Sequence, residues 1–225
     1  MLRALAAHRS FKIQLSIVLT LFFSIPYVTF QHVLSLPAWR LPLSAIDTAI
    51  PFMPRWVWVY QSVYLMMFGV PWCAVSADDL RRYARGFVLQ ASIGFLCFLL
   101  IPIEAPRPAI VPDDPMFRFL LWYDGLVNSL PSLHVGLSVY SVLFAAHASS
   151  GRMTPRARLA MLAALWVWVA LIAFSTLATK QHYFVDLPPG ALLAWLSDRW
   201  AWRHVARRHV EGARGEPSQA VHLLE

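Results

Sequence analysis

The chain has 225 residues, of which 58% are hydrophobic and only 14% are charged, and its mean hydropathy is +0.54. Soluble domains usually carry about 25% charged residues, so this composition excludes an ordinary water-soluble protein and indicates that much of the chain lies in lipid. The net charge of +7 is not gathered in a soluble basic module, so no nucleic-acid binding is predicted.

Long apolar runs predict membrane-spanning helices. Each run is long enough for a helix of about 17–25 residues, the length that crosses a hydrocarbon core. Five runs that lack charged residues are 13–39, 56–77, 86–103, 125–150 and 159–179. A sixth run, 183–202, contains Asp186 near one end and Asp198 and Arg199 near the other. We therefore predict an all-α polytopic membrane protein whose six transmembrane helices form a bundle.

The basic residues are distributed unevenly between the two sides that six spans define. The side that carries both termini holds fourteen Lys and Arg residues, and the other side holds five. Because cytoplasmic loops are enriched in Lys and Arg, we predict that both termini are cytoplasmic. Residues 1–12 would then form a cytoplasmic N-terminus, 13–202 a six-span membrane domain, and 203–225 a disordered cytoplasmic tail.

Two predicted loops on the outer side contain several prolines. Loop 38–55 includes Pro51 and Pro54, which cannot continue a helix interior and therefore predict a kinked or interfacial segment. Loop 104–124 ends in an apolar and aromatic stretch, 116–123, which is expected to lie flat on the membrane.

Three short polar segments on the predicted outer side carry the candidate chemistry: 104–108, 128–134 and 175–186. His182 and Asp186 in the third segment are four residues apart, so on a helix they would share a face. The carboxylate can hold one imidazole nitrogen and leave the other free as a base or nucleophile. The alternative is a structural hydrogen bond that ties two spans together.

His134 follows Pro131 and Ser132, which suit the first turn of a helix. Because the free N–H groups of a helix N-terminus bind anions, a histidine there would stand beside a bound phosphate and protonate a leaving oxygen. Arg107 and Lys180 are outer-side cations that suit phosphate binding, one as a fork of donors and the other as a point charge. The alternatives are simple packing for the histidine and lipid-headgroup contact for the two cations.

Together these segments resemble the type 2 phosphatidic acid phosphatase superfamily. Its pattern is a Lys…Arg-Pro element, then Pro-Ser-Gly-His, then Ser-Arg followed by His and, four residues later, Asp. The corresponding residues here are Arg107-Pro108, Pro131-Ser132-Leu133-His134, and Ser175 with His182 and Asp186. The Pro-Ser-Leu-His and Thr-Lys-Gln-His-Tyr sequences are closest to the branch of inositol phosphorylceramide and sphingomyelin synthases. Leu100, Leu133 and Thr176 depart from the superfamily pattern, which removes its usual Lys, Gly and Arg.

The resemblance implies a membrane-embedded lipid phosphate phosphatase with a His-His-Asp triad and without a metal or other cofactor. His182 would attack phosphorus and form a phosphohistidine, and Asp186 would hold and polarise it. His134 would protonate the departing oxygen and then activate the acceptor. The substrate-binding residues that the resemblance implies are Arg107, Lys180, Ser132 and Ser175. If an alcohol replaced water as the acceptor, the same residues would form a lipid phosphotransferase of the ceramide type.

Two other interpretations of the polar residues remain open. A transporter or lipid carrier without catalysis is one, because intramembrane His and Asp also mark ion pathways. A metal site formed by His134, His182 and Asp186 is the other, because three such ligands suit zinc. For the enzyme, the expected partners are the membrane and a lipid phosphate that diffuses in from the bilayer. The expected location is a bacterial inner membrane, with the active site facing the periplasm.

Overall fold

The computed structural model describes residues 6–33, 37–108 and 111–214, and these ranges are helical and irregular, with two isolated β-bridges and no strand. The prediction of an all-α fold is confirmed. In chain order the helices are α1 (Arg9–Val33), α2 (Ala45–Ala49), α3 (Val57–Gln61), α4 (Val70–Trp72), α5 (Ala77–Leu100), α6 (Pro115–Tyr123), α7 (Leu133–Ala148), α8 (Pro155–Ala178) and α9 (Leu187–Arg214). A π-helical turn lies at Leu65–Gly69, and 3-10 turns lie at Pro54–Trp56 and Phe184–Asp186.

Three of the described helices are long and apolar enough to cross a membrane: Arg9–Phe30 within α1, and all of α5 and α8. Helix α7 is also apolar but has 16 residues, because the predicted span 125–150 is irregular as far as Ser132, which caps the helix. The sixth predicted span lies mostly inside α9. The count of six spans stays a prediction.

The second predicted span, 56–77, is a broken helix. It runs through α3, the π-helical turn and α4, and α4 ends at Trp72. Pro71 has no amide hydrogen, so it cannot bond the carbonyl of Met67 one turn earlier. The hydroxyl of Tyr83 on α5 donates to the Met67 carbonyl instead (2.6 Å), so the carbonyl left free by the interruption has a hydrogen-bond partner. π-helical turns are frequent at functional sites, and this one follows the helix that carries Tyr60.

Helix α7 lies at the centre of the bundle and packs against α5, α8 and α9. It approaches α9 most closely at two glycines. A Cβ atom on Gly190 would lie 2.3 Å from the Ser132 carbonyl oxygen, and one on Gly136 would lie 2.9 Å from the Gly190 carbonyl oxygen. At the same place the Ser132 amide donates to the Asp186 carbonyl (3.0 Å). This crossing holds the first turn of α7 against the start of α9.

The predicted terminal segments overlap helices. Helix α1 begins at Arg9, inside the predicted N-terminal segment 1–12, of which residues 1–5 lie outside the described residues. Helix α9 continues to Arg214, within the predicted tail 203–225, and the disorder of that tail stays a prediction. Residues 215–225 lie outside the described part of the chain.

The glycine crossing can be tested with a matched pair of substitutions. Gly190→Ala is expected to destabilise the fold by about 1–3 kcal/mol or more, because its methyl group would meet a backbone carbonyl that cannot rotate away. Gly69→Ala is the control, because a Cβ atom there meets nothing within 4 Å. Thermal unfolding in detergent measures both, and equal stability of the two variants would contradict the close approach.

Candidate active site

The three polar segments of the sequence converge at one end of the bundle. Segment 103–107 runs beside the chain before α7, through a bridge between Ile103 and Asn128 and a hydrogen bond from the Ala105 amide to the Leu126 carbonyl (2.8 Å). The loop between α8 and α9 folds over the N-terminus of α7 through the Ser132–Asp186 bond described above. The structure therefore brings His134, His182, Asp186 and Arg107 into one site.

His182 is buried, and its ring is oriented by main-chain oxygen. Lys180 adopts a left-handed conformation (φ 58°) that reverses the chain after α8, and the His182 amide then donates to the Thr176 carbonyl (3.3 Å). The ring atom Nδ1 lies 2.9 Å from the Ser129 carbonyl oxygen. A carbonyl only accepts hydrogen bonds, so this contact requires a proton on Nδ1 and leaves the lone pair of the neutral ring on Nε2.

Asp186 completes the environment of this histidine. Its Oδ2 lies 3.4 Å from His182 Nδ1, and it accepts hydrogen bonds from the Ser129 hydroxyl and from the Tyr183 amide (2.8 Å). The side chain is fully buried. His182 and Asp186 do not share an α-helical face, because a turn and the 3-10 turn Phe184–Asp186 separate them and α9 begins only at Leu187. The pair forms nonetheless, since the 3-10 turn points the carboxylate back at the ring.

His134 occupies the first turn of α7, as the sequence predicts. Ser132 caps this helix, and its hydroxyl accepts from the Val135 amide (3.4 Å). The His134 ring stacks on Tyr60 with 3.9 Å between ring centroids, and its centroid lies 5.7 Å from that of His182. His134 Nε2 is buried and has no hydrogen-bond partner among the described residues. The two imidazoles thus lie edge to face, 62° between planes; His182 Nδ1 is held by oxygen acceptors, and His134 Nε2 has no partner among the described residues.

Arg107 reaches the same site from the loop after α5. Its Nε donates to Gln181 Oε1 (2.9 Å), and its Nη2 donates to the carbonyls of Asp124 (2.6 Å) and Gly125 (2.8 Å). Gln181 directly precedes His182 in the chain. The guanidinium therefore bridges the loop that carries the nucleophile candidate and the segment that leads into α7.

Lys180 is engaged with the outer loop 38–55. Its Nζ donates to the carbonyls of Asp47 (2.7 Å) and Ile50 (2.5 Å). Burial lowers the pKa of Lys180, and the nearby Asp47 charge opposes that shift. The Asp47 carboxylate in turn accepts from the Phe184 amide (2.7 Å), two residues after His182. In this conformation the ammonium fastens the loop over the site, and its predicted role in phosphate binding stays a prediction.

The two predicted substrate-binding serines use their hydroxyls locally. The Ser175 hydroxyl donates to the Ile172 carbonyl of its own helix (2.6 Å), and the Ser132 hydroxyl caps α7. Both side chains are fully buried. Their contact with substrate remains a prediction, and the geometry shows them stabilising the ends of α8 and α7.

Sequence reasoning missed Asp124, Tyr60 and Gln181. Asp124 is buried, and its carboxylate accepts from the hydroxyls of Tyr27 and Tyr60 and from the side-chain amide of Asn128 (2.7 Å). The available signal was an acidic residue at the end of an aromatic stretch, directly before an apolar run. No group of three or more His, Cys, Asp or Glu in the described ranges is arranged to hold a metal ion.

Comparisons with known proteins agree with the motif. The family model of the PAP2 superfamily matches residues 28–200. The catalytic subunit aur1 of inositol phosphorylceramide synthase from Schizosaccharomyces pombe is 25% identical over 190 residues, covering 74% of this chain. The chain spans about 40% of the length of that relative. No solved structure matches. The predicted superfamily is confirmed, and the relative supports the predicted branch.

The anchoring role of Lys180 can be tested by hydrogen exchange. Lys180→Met keeps the aliphatic stem but removes two charge-assisted hydrogen bonds of about 1.5–3 kcal/mol each. We expect the amides of Phe184 and Met53, which bond Asp47 and Ala178, to exchange about tenfold faster or more. Arg118→Met is the control, because Arg118 pairs only with an exposed Asp113 among the described salt bridges. Unchanged exchange together with lost activity would instead assign Lys180 to phosphate binding.

Proposed function

The chain belongs to the PAP2 superfamily, and on this premise we propose that it transfers a phospho group from a bilayer lipid to an acceptor through a phosphohistidine on His182. The observation that carries the proposal is the contact between His182 Nδ1 and the Ser129 carbonyl (2.9 Å). It selects the tautomer in which Nε2 is the nucleophile, and Asp186 beside Nδ1 stabilises the positive charge that develops on the ring.

The first half of the reaction forms one bond and breaks another. His182 Nε2 attacks phosphorus as the bond from phosphorus to the lipid oxygen breaks, and His134 gives its Nε2 proton to that oxygen. Arg107 stabilises the negative charge on the non-bridging oxygens. In the second half, His134 takes a proton from the acceptor hydroxyl, whose oxygen displaces Nε2 from phosphorus. The enzyme returns to its starting state.

The acceptor decides between a phosphotransferase and a phosphatase. Two observations favour an alcohol: the relative from S. pombe is named as an inositol phosphorylceramide synthase, and both histidines are buried, at 4% and 7% exposure. A buried site limits the access of water to a reactive phosphohistidine. We therefore place the phosphotransferase first. The lipid phosphatase, favoured by the sequence motif alone, is the second candidate and uses the same residues.

Product analysis tests the proposal and separates the two candidates. Purified protein in detergent with EDTA is given lipid phospho-donors with and without alcohol acceptors, and inorganic phosphate and new lipids are measured together. His182→Ala and His134→Ala are each expected to lower turnover by at least about 100-fold while the protein stays folded. A new lipid that needs the alcohol indicates the transferase, and phosphate release indicates the phosphatase. Wild-type turnover in both variants would refute the mechanism.

The uneven distribution of basic residues supports a site on the non-cytoplasmic side, which in a bacterial inner membrane is the periplasm. A cysteine-labelling experiment tests this orientation in a variant without Cys73 and Cys97. Val111→Cys places a single cysteine in the outer loop, and Met153→Cys places one in the loop between α7 and α8. Both parent side chains are exposed. A membrane-impermeant maleimide is expected to label the first in intact cells and the second only after lysis. The reverse pattern would contradict the proposed orientation.

A further inference from the structure

Asp124 is a buried carboxylate at a junction of distant segments. It lies between α6 and α7 and is 4% exposed. Its oxygens accept from Tyr27 on α1, from Tyr60 on α3 and from Asn128. Burial alone would raise the pKa of Asp124, but its interactions with His134, when that ring is protonated, with the Arg107 guanidinium and with the two tyrosine hydroxyls hold it below its usual value. The donors thus stabilise a charge that would otherwise be costly at this depth.

Tyr60 connects this carboxylate to the acid candidate His134. It is completely buried. Its hydroxyl donates to Asp124, and its ring lies against the imidazole with 3.9 Å between centroids and 33° between planes. An aromatic face attracts a cation, and the attraction strengthens when both groups are desolvated. A tyrosine that donates to a carboxylate has an electron-rich ring, so this contact fixes the plane of the imidazole and favours its protonated form.

Asp124 also fixes the phosphate-binding candidate Arg107. The Asp124 main-chain carbonyl accepts from Arg107 Nη2 (2.6 Å), and the adjacent Gly125 carbonyl accepts from the same nitrogen (2.8 Å). The segment Asp124–Gly125 therefore holds His134 through the Asp124 side chain and Tyr60, and it holds Arg107 through two backbone carbonyls. Since proton donation and charge stabilisation must act on the same phosphate, a common anchor keeps their separation constant.

We propose that Asp124 and Tyr60 are positioning residues that orient His134 and favour its protonated form. The inference rests on the proposed function. Neither residue exchanges a proton: His134 alone gives a proton to the leaving oxygen and recovers one from the acceptor. Among the described residues, the titratable groups around His134 include Tyr60 with Asp124 behind it, and His182 from the loop before α9. Tyr64, from the segment after α3, lines the same small cavity as His134.

The test compares Tyr60→Phe with Tyr27→Phe. Each substitution removes one hydroxyl that donates a hydrogen bond to the Asp124 carboxylate. The rings differ, because the Tyr27 ring stacks on Phe23 (5.2 Å) and not on His134. Two donors are used, the lipid with its alkyl leaving group and the p-nitrophenyl ester of the same phospho-headgroup. An alkoxide needs a proton to depart and a nitrophenolate does not, so only turnover of the lipid donor depends on proton donation by His134.

We expect Tyr60→Phe to lower kcat about tenfold or more with the lipid donor and less than about threefold with the aryl donor. Tyr27→Phe is expected to lower both by the same small factor. In Tyr60→Phe and in Asp124→Asn, the pH above which the lipid reaction slows should move lower, because loss of the anchor disfavours protonated His134. Asp124→Asn keeps the shape of the site, so it tests the inference even if Tyr60→Phe folds poorly.

The failures of the inference and of the proposed function are distinct. The inference is overturned if Tyr60→Phe and Asp124→Asn lose the same fraction of kcat with both donors and the pH above which the lipid reaction slows does not move. Both residues would then contribute only to packing. Turnover of neither donor by the wild-type protein, or full turnover by His182→Ala, would overturn the proposed function instead. Thermal unfolding of each variant separates lost positioning from lost folding.

Discussion

Gly136 on α7 and Gly190 on α9 let two helices approach until main chain touches main chain, and the Ser132 amide donates to the Asp186 carbonyl at that crossing. His134 lies two residues before one glycine, and Asp186 lies four residues before the other. The distance between the acid candidate and the carboxylate that holds the nucleophile candidate is therefore set by backbone contact. In lipid, where apolar side chains gain little by leaving their surroundings, small residues at such crossings are the usual means of close helix packing.

Around this crossing, buried carboxylates organise the polar end of the bundle. Asp186 accepts hydrogen bonds from Ser129 and Tyr183. Asp124 accepts them from two tyrosines and Asn128, and Asp47 accepts them from Ser44 and Phe184. An ionised group at membrane depth is costly unless donors surround it. Each carboxylate consequently draws donors from segments far apart in the chain, and these bonds join loops that apolar packing would leave independent. These hydrogen bonds join the segments that form the polar site, and Asp186 Oδ1 is left without a hydrogen-bond partner among the described residues.

Local features of the site could be predicted from the sequence, and long-range ones could not. Pro131 and Ser132 indicated the start of α7, and the spacing of His182 and Asp186 indicated their pairing, although through a turn rather than a helix face. Pro71 was a local signal for the break in the second span, whereas the Tyr83 hydroxyl from α5 that bonds the freed carbonyl is a long-range contact. The contacts of Lys180 with Asp47 and Ile50, and those of Asp124 with Tyr27 and Tyr60, join residues separated by 64 to 133 positions, and no local pattern reports such contacts.

The two histidines differ because their surroundings differ. His182 Nδ1 contacts oxygen acceptors, which leaves the lone pair of the neutral ring on Nε2. The His134 ring lies against Tyr60, and its Nε2 has no hydrogen-bond partner among the described residues. Rapid quenching of the enzyme with a donor labelled in its phosphate, followed by peptide mapping, tests this division of roles most directly. The account predicts an acid-labile, base-stable label on the peptide that carries His182 and none in His182→Ala. A label on His134, or product formation with no labelled protein at any time, would contradict it.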